Sequence, residues 1–430
     1  MGSIAKLFTQ NLLWRVCYYL TNFILTLFIA RHFKATLSGD VFYLINNCSF
    51  IVLVLSLSFE AAIVYFDSNK EIGSNKLFYT AIILILSSVF ILIAINFCAD
   101  CFFSYNLGNQ VNQNIFHFVI GNLLCIFMSG FYFARKNFKT PNLVAAIMNG
   151  TLLLLLFFIN DNNWLNNNRF ISLYFFSFVI HGIILMVLLL KSSSEIKRVS
   201  FLNKNEGSKL YQYLSLVFFS NLITFFCYRM DYWFVKHYCN SIELGNYIQV
   251  SKLVQLFFVL PSILATVLFP LTSGGEKEKI KSILPLITRT VFFIYSLFSI
   301  GLIIIGKWAF PFMFGESFDL MYRCFLFYIP GMISFSGLYA FTSFFSGNNK
   351  VIVNLKGCAL ALIIALVGNV VIIPRFGIYG AASVSSLSYL VYFIFVLYCF
   401  LKENPLAISD FFIFKKTDWN YYKSIFKFTR

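Results

Sequence analysis

Five charged side chains stand inside long apolar runs of this 430-residue sequence: Arg15, Glu60, Arg229, Asp231 and Lys252. A charge at the centre of a membrane-crossing helix costs about 2.5 to 3.5 kcal/mol on insertion scales, so one that is kept there faces a partner or a water-filled cavity. Three of the five are cations and two are anions. Surplus Arg and Lys in such a cavity suits a phosphate or diphosphate, because a guanidinium binds two of its oxygens at once. A site for drug cations would carry the opposite sign. Arg15 lies about a turn inside the first run, where it either snorkels to the head groups or supports a binding site. Glu60 lies at similar depth, so an Arg15–Glu60 pair is expected. Arg229 and Asp231 fall about 24 and 27 Å from the inner end of the seventh run at 1.5 Å per residue, and Lys252 enters the eighth at a comparable depth from outside. This trio reads either as a structural salt-bridge cluster or as part of an anion-binding cavity.

The elements that carry these charges follow from composition. The chain is 59% hydrophobic and 12% charged, with a mean hydropathy of +0.79, against about 45–50% apolar residues in soluble domains. Runs of 18 or more apolar residues recur, each long enough to cross a hydrocarbon core about 30 Å thick. A transmembrane β-barrel is excluded, because its strands alternate polar and apolar residues while segments such as 81–97 are apolar on every side. The expected class is all-α: a polytopic membrane protein with about twelve spans, near 7–30, 41–65, 77–103, 114–133, 143–159, 170–190, 213–235, 247–271, 286–306, 320–345, 351–373 and 378–401. The first run, from Leu7 past Phe28, has no small-residue cleavage site after a short core and reads as a retained insertion signal.

Alternate loops differ in basic content, and that sets the orientation. Placing the N-terminus inside puts 23 Lys and Arg in the cytoplasm and seven outside, so both termini are cytoplasmic. The net charge of +16 is scattered through short loops rather than gathered on a soluble face, which argues against nucleic acid as a partner. The longest cytoplasmic linker divides the chain into an N-terminal bundle (1–190), the linker (191–212), a C-terminal bundle (213–401) and a cytoplasmic tail (402–430). External loops such as Asn160 to Asn168 leave no room for a soluble domain, so the work is expected inside the bundle. Cysteines sit mostly within apolar runs, where a thiol behaves as a small apolar group. Cys98 and Cys101 form a CxxC without a second ligand pair or a thioredoxin-like setting, and carry no metal or redox expectation.

The two halves echo one another. Arg31-His32-Phe33 before Ser38-Gly39-Asp40 is matched by Lys236-His237-Tyr238 before Leu244-Gly245-Asn246, as in transporters built from repeated bundles. Phe218, Phe219, Phe225, Phe226, Tyr228, Tyr232 and Trp233 crowd the run that holds Arg229, for packing or for stacking on sugar faces. Pro261, Pro270, Pro285, Pro311 and Pro330 can bend their helices, since proline removes a backbone donor.

The stretch Arg229-Met230-Asp231-Tyr232-Trp233, then Glu243-Leu244-Gly245-Asn246-Tyr247, Leu260-Pro261 and Phe269-Pro270, resembles the polysaccharide-transporter branch of the MOP flippase superfamily, the Wzx-type O-antigen flippases. Pro374-Arg375-Phe376-Gly377-Ile378-Tyr379-Gly380-Ala381-Ala382 resembles that family's loop into its last helix. The resemblance implies two six-helix MOP/MATE-like bundles around a central cationic cavity. It further implies a transporter rather than an enzyme, which moves an undecaprenyl-diphosphate-linked oligosaccharide (an O-antigen or capsular unit) from the cytoplasmic to the periplasmic leaflet of the inner membrane by alternating access. No cofactor is implied beyond H+ or Na+ coupling, with Asp231 and Glu60 as charge partners or coupling residues. Arg229, Lys252 and Arg15 would hold the substrate, among membrane lipids, with a polymerase and chain-length regulator as partners. Two rivals differ in what they require. An O-antigen polymerase needs a large external loop with catalytic Arg, and a multidrug exporter of the same superfamily needs acidic cavity residues.

Overall fold

A computed structural model of the chain describes residues 2–103, 109–159, 167–193, 195–273, 277–404, 406–413 and 418. The loop at 160–166 that was expected outside, most of the 402–430 tail, and the side chains of Cys98, Cys101 and Pro270 lie outside the described residues. Those residues form helices and no strand. In chain order the α-helices are α1 (Gly2–Ser56), α2 (Phe59–Ser68), α3 (Ser74–Phe103), α4 (Asn109–Ala134), α5 (Lys139–Leu156), α6 (Asn167–Ser192), α7 (Lys204–Arg229), α8 (Asp231–Tyr238), α9 (Ser241–Phe257), α10 (Val259–Ser273), α11 (Lys277–Phe314), α12 (Met321–Gly347) and α13 (Val351–Glu403).

Ten stretches of helix among the described residues are long and apolar enough to cross a membrane. Two of them, 44 and 53 residues long, would run to about 66 and 80 Å if straight, twice what a bilayer needs. Both are bent midway. Lys34 interrupts α1 with φ 59° and ψ 178°, and Gly377 interrupts α13 with φ 55° and ψ −139°. Each therefore supplies two crossings, which accounts for twelve spans. The chain is a multi-pass membrane protein.

By its internal contacts the chain divides into two compact units: Met1–Phe33 with Asp40–Leu222, and Lys34–Gly39 with Ile223–Arg430. In the first unit α4 and α6 cross closely, since a Cβ on Gly121 would lie 2.5 Å from the Phe178–Val179 backbone and one on Gly182 would lie 2.4 Å from Leu124 Cβ. Small residues at a crossing let helices approach where lipid supplies no hydrophobic drive. The N-terminal part of α7 is fastened to this unit by Lys76 and Glu206 (2.8 Å), by Tyr213 stacked on Tyr65 (4.9 Å) and by Asn221 donating to Ser58 Oγ (3.0 Å). Among the described residues of α7 only Leu210 is buried, so this helix is held by a narrow stripe of contacts. It also begins at Lys204, inside the stretch expected to be linker.

The second unit contains a contact that the sequence echo pointed to. Gly39 and Gly245, the matched glycines of the two halves, pack backbone to backbone: a Cβ on Gly39 would lie 2.8 Å from Gly245 Cα, and one on Gly245 would lie 2.0 Å from Ala35 O. Ser317 ties the crossing together, accepting from Ala35 N through Oγ (3.0 Å) and from Asn246 Nδ2 through its carbonyl (3.0 Å). Helix α9 starts cleanly because Asn240 and Glu243 form a reciprocal capping box. That makes the Glu243 of the motif a cap.

Prolines act where expected in two places. Pro261 has no N–H for the Phe257 carbonyl, the chain breaks at Phe258 between α9 and α10, and Tyr295 Oη donates to the freed Phe257 carbonyl instead. Beside Pro330, Ser386 Oγ inserts into α12, donating to Phe327 O (2.5 Å) and accepting from Gly331 N (3.2 Å). Pro285 and Pro311 lie within a continuous α11.

Candidate functional site

Two helix breaks that carry no proline or glycine adjoin the membrane charges. Between α1 and α2, Leu57 (φ 49°) and Ser58 (φ 59°) adopt left-handed backbone, a conformation that costs of order 1–3 kcal/mol for a side-chain-bearing residue. Ser56 Oγ accepts from Ser58 N (3.1 Å), and Glu60 follows in the first turn of α2. The second break, at Met230, separates Arg229 at the end of α7 from Asp231 at the start of α8. Met230 keeps helical backbone angles (φ −63°, ψ −34°), and the Asp231 carboxylate takes the Tyr232 amide (3.0 Å) out of the helical ladder.

In the first unit the expected Arg15–Glu60 pair does not form. Arg15 is half-buried on α1 and makes no ion pair among the described residues, while its neighbour Trp14 lies under Lys139 Nζ at 5.4 Å. Glu60 instead lines a cavity of about 370 Å³ with Asn22, Asn122, Asn142, Asn149 and His181. Its Oε2 is buried without a hydrogen-bond partner, as is His181 Nε2.

In the second unit Asp231 is the centre of a buried network. Tyr247 Oη donates to its Oδ2, as does Ser385 Oγ (3.3 Å). Tyr328 Oη is 2.8 Å from Tyr247 Oη. Tyr247 comes from one stretch of the motif and Ser385 from the helix after the other. The two stretches also meet at Gly377, where an added Cβ would lie 3.7 Å from Glu243 Oε1 and 3.8 Å from Cys239 Sγ.

Arg229 does not pair with this carboxylate. Its Nη1 donates to Tyr232 Oη (3.0 Å), and the guanidinium carbon sits 5.4 Å from that ring's centroid. A guanidinium has five N–H donors, and a single hydrogen bond leaves most of its fork available. Lys252 is half-buried on α9, and no salt bridge joins Arg229 and Asp231 among the described residues. Of the aromatic crowd, Tyr228 packs on Phe335 (5.4 Å) and Tyr389 (6.0 Å) and Tyr232 on Tyr247 (5.9 Å), while Phe219 is mostly exposed.

Sequence reasoning found Asp231 and missed its partners Tyr247, Tyr328 and Ser385, although Tyr247 lay within the quoted motif. It missed His181 and the asparagines of the first unit altogether. A His in an otherwise apolar run was the available signal.

No family model and no curated protein matches the sequence. Solved structures do match in fold. The lipid II flippase MurJ in an inward closed conformation superimposes with a TM-score of 0.71 at 15% identity, over 93% of this chain and 89% of that one. A multidrug resistance MATE family transporter of the MOP superfamily, inward-facing, gives 0.65 at 11% identity, over 90% and 94%. The Vibrio cholerae MATE transporter VcmN gives 0.65 at 14% identity, over 95% and 99%. The chain thus has the all-helical fold that MurJ and the MATE transporters of the MOP superfamily share.

Proposed function

We propose that this protein is a flippase that moves an undecaprenyl-diphosphate-linked oligosaccharide across the inner membrane, from the cytoplasmic to the periplasmic leaflet. The observation that carries the reading is the state of Arg229. Its expected partner Asp231 is occupied by Tyr247, Ser385 and the Tyr232 amide, and its guanidinium makes one hydrogen bond. An Arg so placed has donors for a diphosphate, which it can hold bidentately. In this reading Arg229 and Lys252 take the diphosphate, Arg15 attracts it at the inner mouth, and H+ or Na+ coupling draws on Asp231 or Glu60. The fold likeness to a lipid II flippase supports a lipid-linked substrate.

The test is export in a strain lacking its flippase, with lipid-linked sugar trapped on the inner leaflet as the readout. Arg229→Ala should abolish export with the protein still inserted, and Arg229→Lys should restore only part. Normal export from well-expressed Arg229→Ala removes this residue from the site. Multidrug export is the second reading, favoured by the MATE likeness and by Glu60 in the first unit's cavity. Liposomes that take up cationic dyes but leave lipid-linked oligosaccharide in place would establish it instead.

A further inference from the structure

The cavity of the first unit has mostly apolar walls, yet several helices bring polar side chains into it. Asn22 on α1, Glu60 on α2, Asn122 on α4, Asn142 and Asn149 on α5, and His181 on α6 all line it, so five helices each bring a hydrogen-bonding side chain to one place. Three of the amides are anchored through one N–H each: Asn122 Nδ2 donates to Phe118 O (3.2 Å), Asn142 Nδ2 to Phe138 O (2.7 Å) and Asn149 Nδ2 to Thr21 Oγ1 (3.5 Å). Anchoring fixes the amides and leaves their carbonyl oxygens as acceptors. Glu60 Oε2 and His181 Nε2 have no hydrogen-bond partner among the described residues. A buried orphan of this kind costs stability, and two in one cavity call for an explanation other than stability.

Size narrows the ligand. At about 30 Å³ per water, 370 Å³ holds about twelve waters, far more than a proton or a bare cation occupies and enough for a sugar ring with its hydroxyls. The lining also includes Tyr18, Phe133 and Phe178, apolar walls of the sort that accept the C–H face of a sugar. Hydroxyls both donate and accept, which matches a lining of amide oxygens, a carboxyl and an imidazole.

We propose that this cavity receives one sugar residue of the transported oligosaccharide, with Glu60 and His181 determining which sugar is accepted. The inference rests on the flippase reading and assigns the glycan end of the substrate to a place separate from Arg229. The experiment uses the full chain in nanodiscs and compares affinity for bare undecaprenyl diphosphate with that for a panel of the same carrier bearing one hexose or N-acetylhexosamine. At least one member should bind about tenfold tighter than the bare carrier, the gain of one or two well-made hydrogen bonds. His181→Phe should erase that difference and leave bare-carrier affinity unchanged, which also reports an intact fold, and Glu60→Gln should erase the difference as well. Asn149→Ala, a milder change, should reduce it. Arg229→Ala should weaken all carriers alike. Carrier binding with no sugar preference, or a preference indifferent to all three cavity variants, overturns the inference while the flippase reading stands. Loss of response to an imposed proton or Na+ gradient in Glu60→Gln, with sugar preference kept, makes the cavity an ion site and equally overturns it. If no carrier binds, both readings fall.

Discussion

Replacing Gly245 with alanine sets two physical effects against each other with opposite sign. In an isolated helix the change should stabilise by about 1 kcal/mol, because glycine is the poorer helix former. In this molecule the new methyl would lie 2.0 Å from Ala35 O, 2.7 Å from Ala35 C and 3.0 Å from Ala35 Cα. Close carbon–oxygen contacts between helices run near 3.3 Å, so the two backbones must part by about 1.3 Å. The obstacle is main chain, with no flexible side chain to swing away. The parting also strains the hydrogen bonds that Ser317 makes to both segments. Overpacking typically costs 1–3 kcal/mol and sometimes more, so we expect a net loss of about 2 kcal/mol. Gly301→Ala is the control: it lies in helix α11 with nothing within 4 Å of an added Cβ, and it should be neutral or stabilising by up to about 1 kcal/mol. Thermal unfolding of the detergent-solubilised protein, followed by tryptophan fluorescence, should place Gly245→Ala below wild type and Gly301→Ala at or above it. A Gly245→Ala midpoint equal to or above wild type would refute the close crossing of the two matched glycines.

Three further expectations follow from the contacts. Tyr247→Phe removes one donor to the buried Asp231 carboxylate and should destabilise by about 1–3 kcal/mol, whereas Ser385→Ala, losing a 3.3 Å bond, should cost less; the reverse order in unfolding midpoints would displace Tyr247 from the centre of the network. Arg289 and Asp418 form an ion pair exposed by only 9% and 3%, with Arg289 Nη1 also donating to Asp410 O (2.7 Å), so Asp418→Ala should cost about 3–5 kcal/mol and open residues 406–413 to limited proteolysis; unchanged cleavage would show that the ion pair does not hold this segment. Lys76→Glu should lower stability by no more than about 1 kcal/mol, because the Lys76–Glu206 pair keeps a quarter and a fifth of its side chains exposed, and adding Glu206→Lys should restore it; no recovery in the double variant would show that the pair does not hold α7.

Much of the fold was legible because lipid leaves few solutions: twelve apolar runs had to be twelve helices, and the two bends within α1 and α13 fell in expected loops. Gly39 and Gly245 were legible as an echo, and their contact shows why glycine stands at both places. Of the site, the charges themselves were legible, since apolar runs make them conspicuous. What they touch was not. Arg15 and Glu60 share a depth but not a partner, because depth along a helix does not say which way its face turns. The breaks at Leu57–Ser58 and Met230 carry no proline or glycine, and at them the side chains of Ser56 and Asp231 capture nearby amides. His181 and the asparagines converge only once α1, α2, α4, α5 and α6 are assembled, so no spacing along the chain could have grouped them.

Carriage of a lipid diphosphate past the membrane cations is tested most directly by one reconstitution. Purified protein in liposomes loaded with undecaprenyl-diphosphate-linked oligosaccharide in both leaflets is challenged from outside with a glycan-cleaving enzyme. Wild-type protein should render nearly all of the glycan cleavable, while Arg229→Ala, equally well inserted, should leave the inner-leaflet half protected. Protection of that half in the presence of wild-type protein, or full cleavage with Arg229→Ala, would contradict the account.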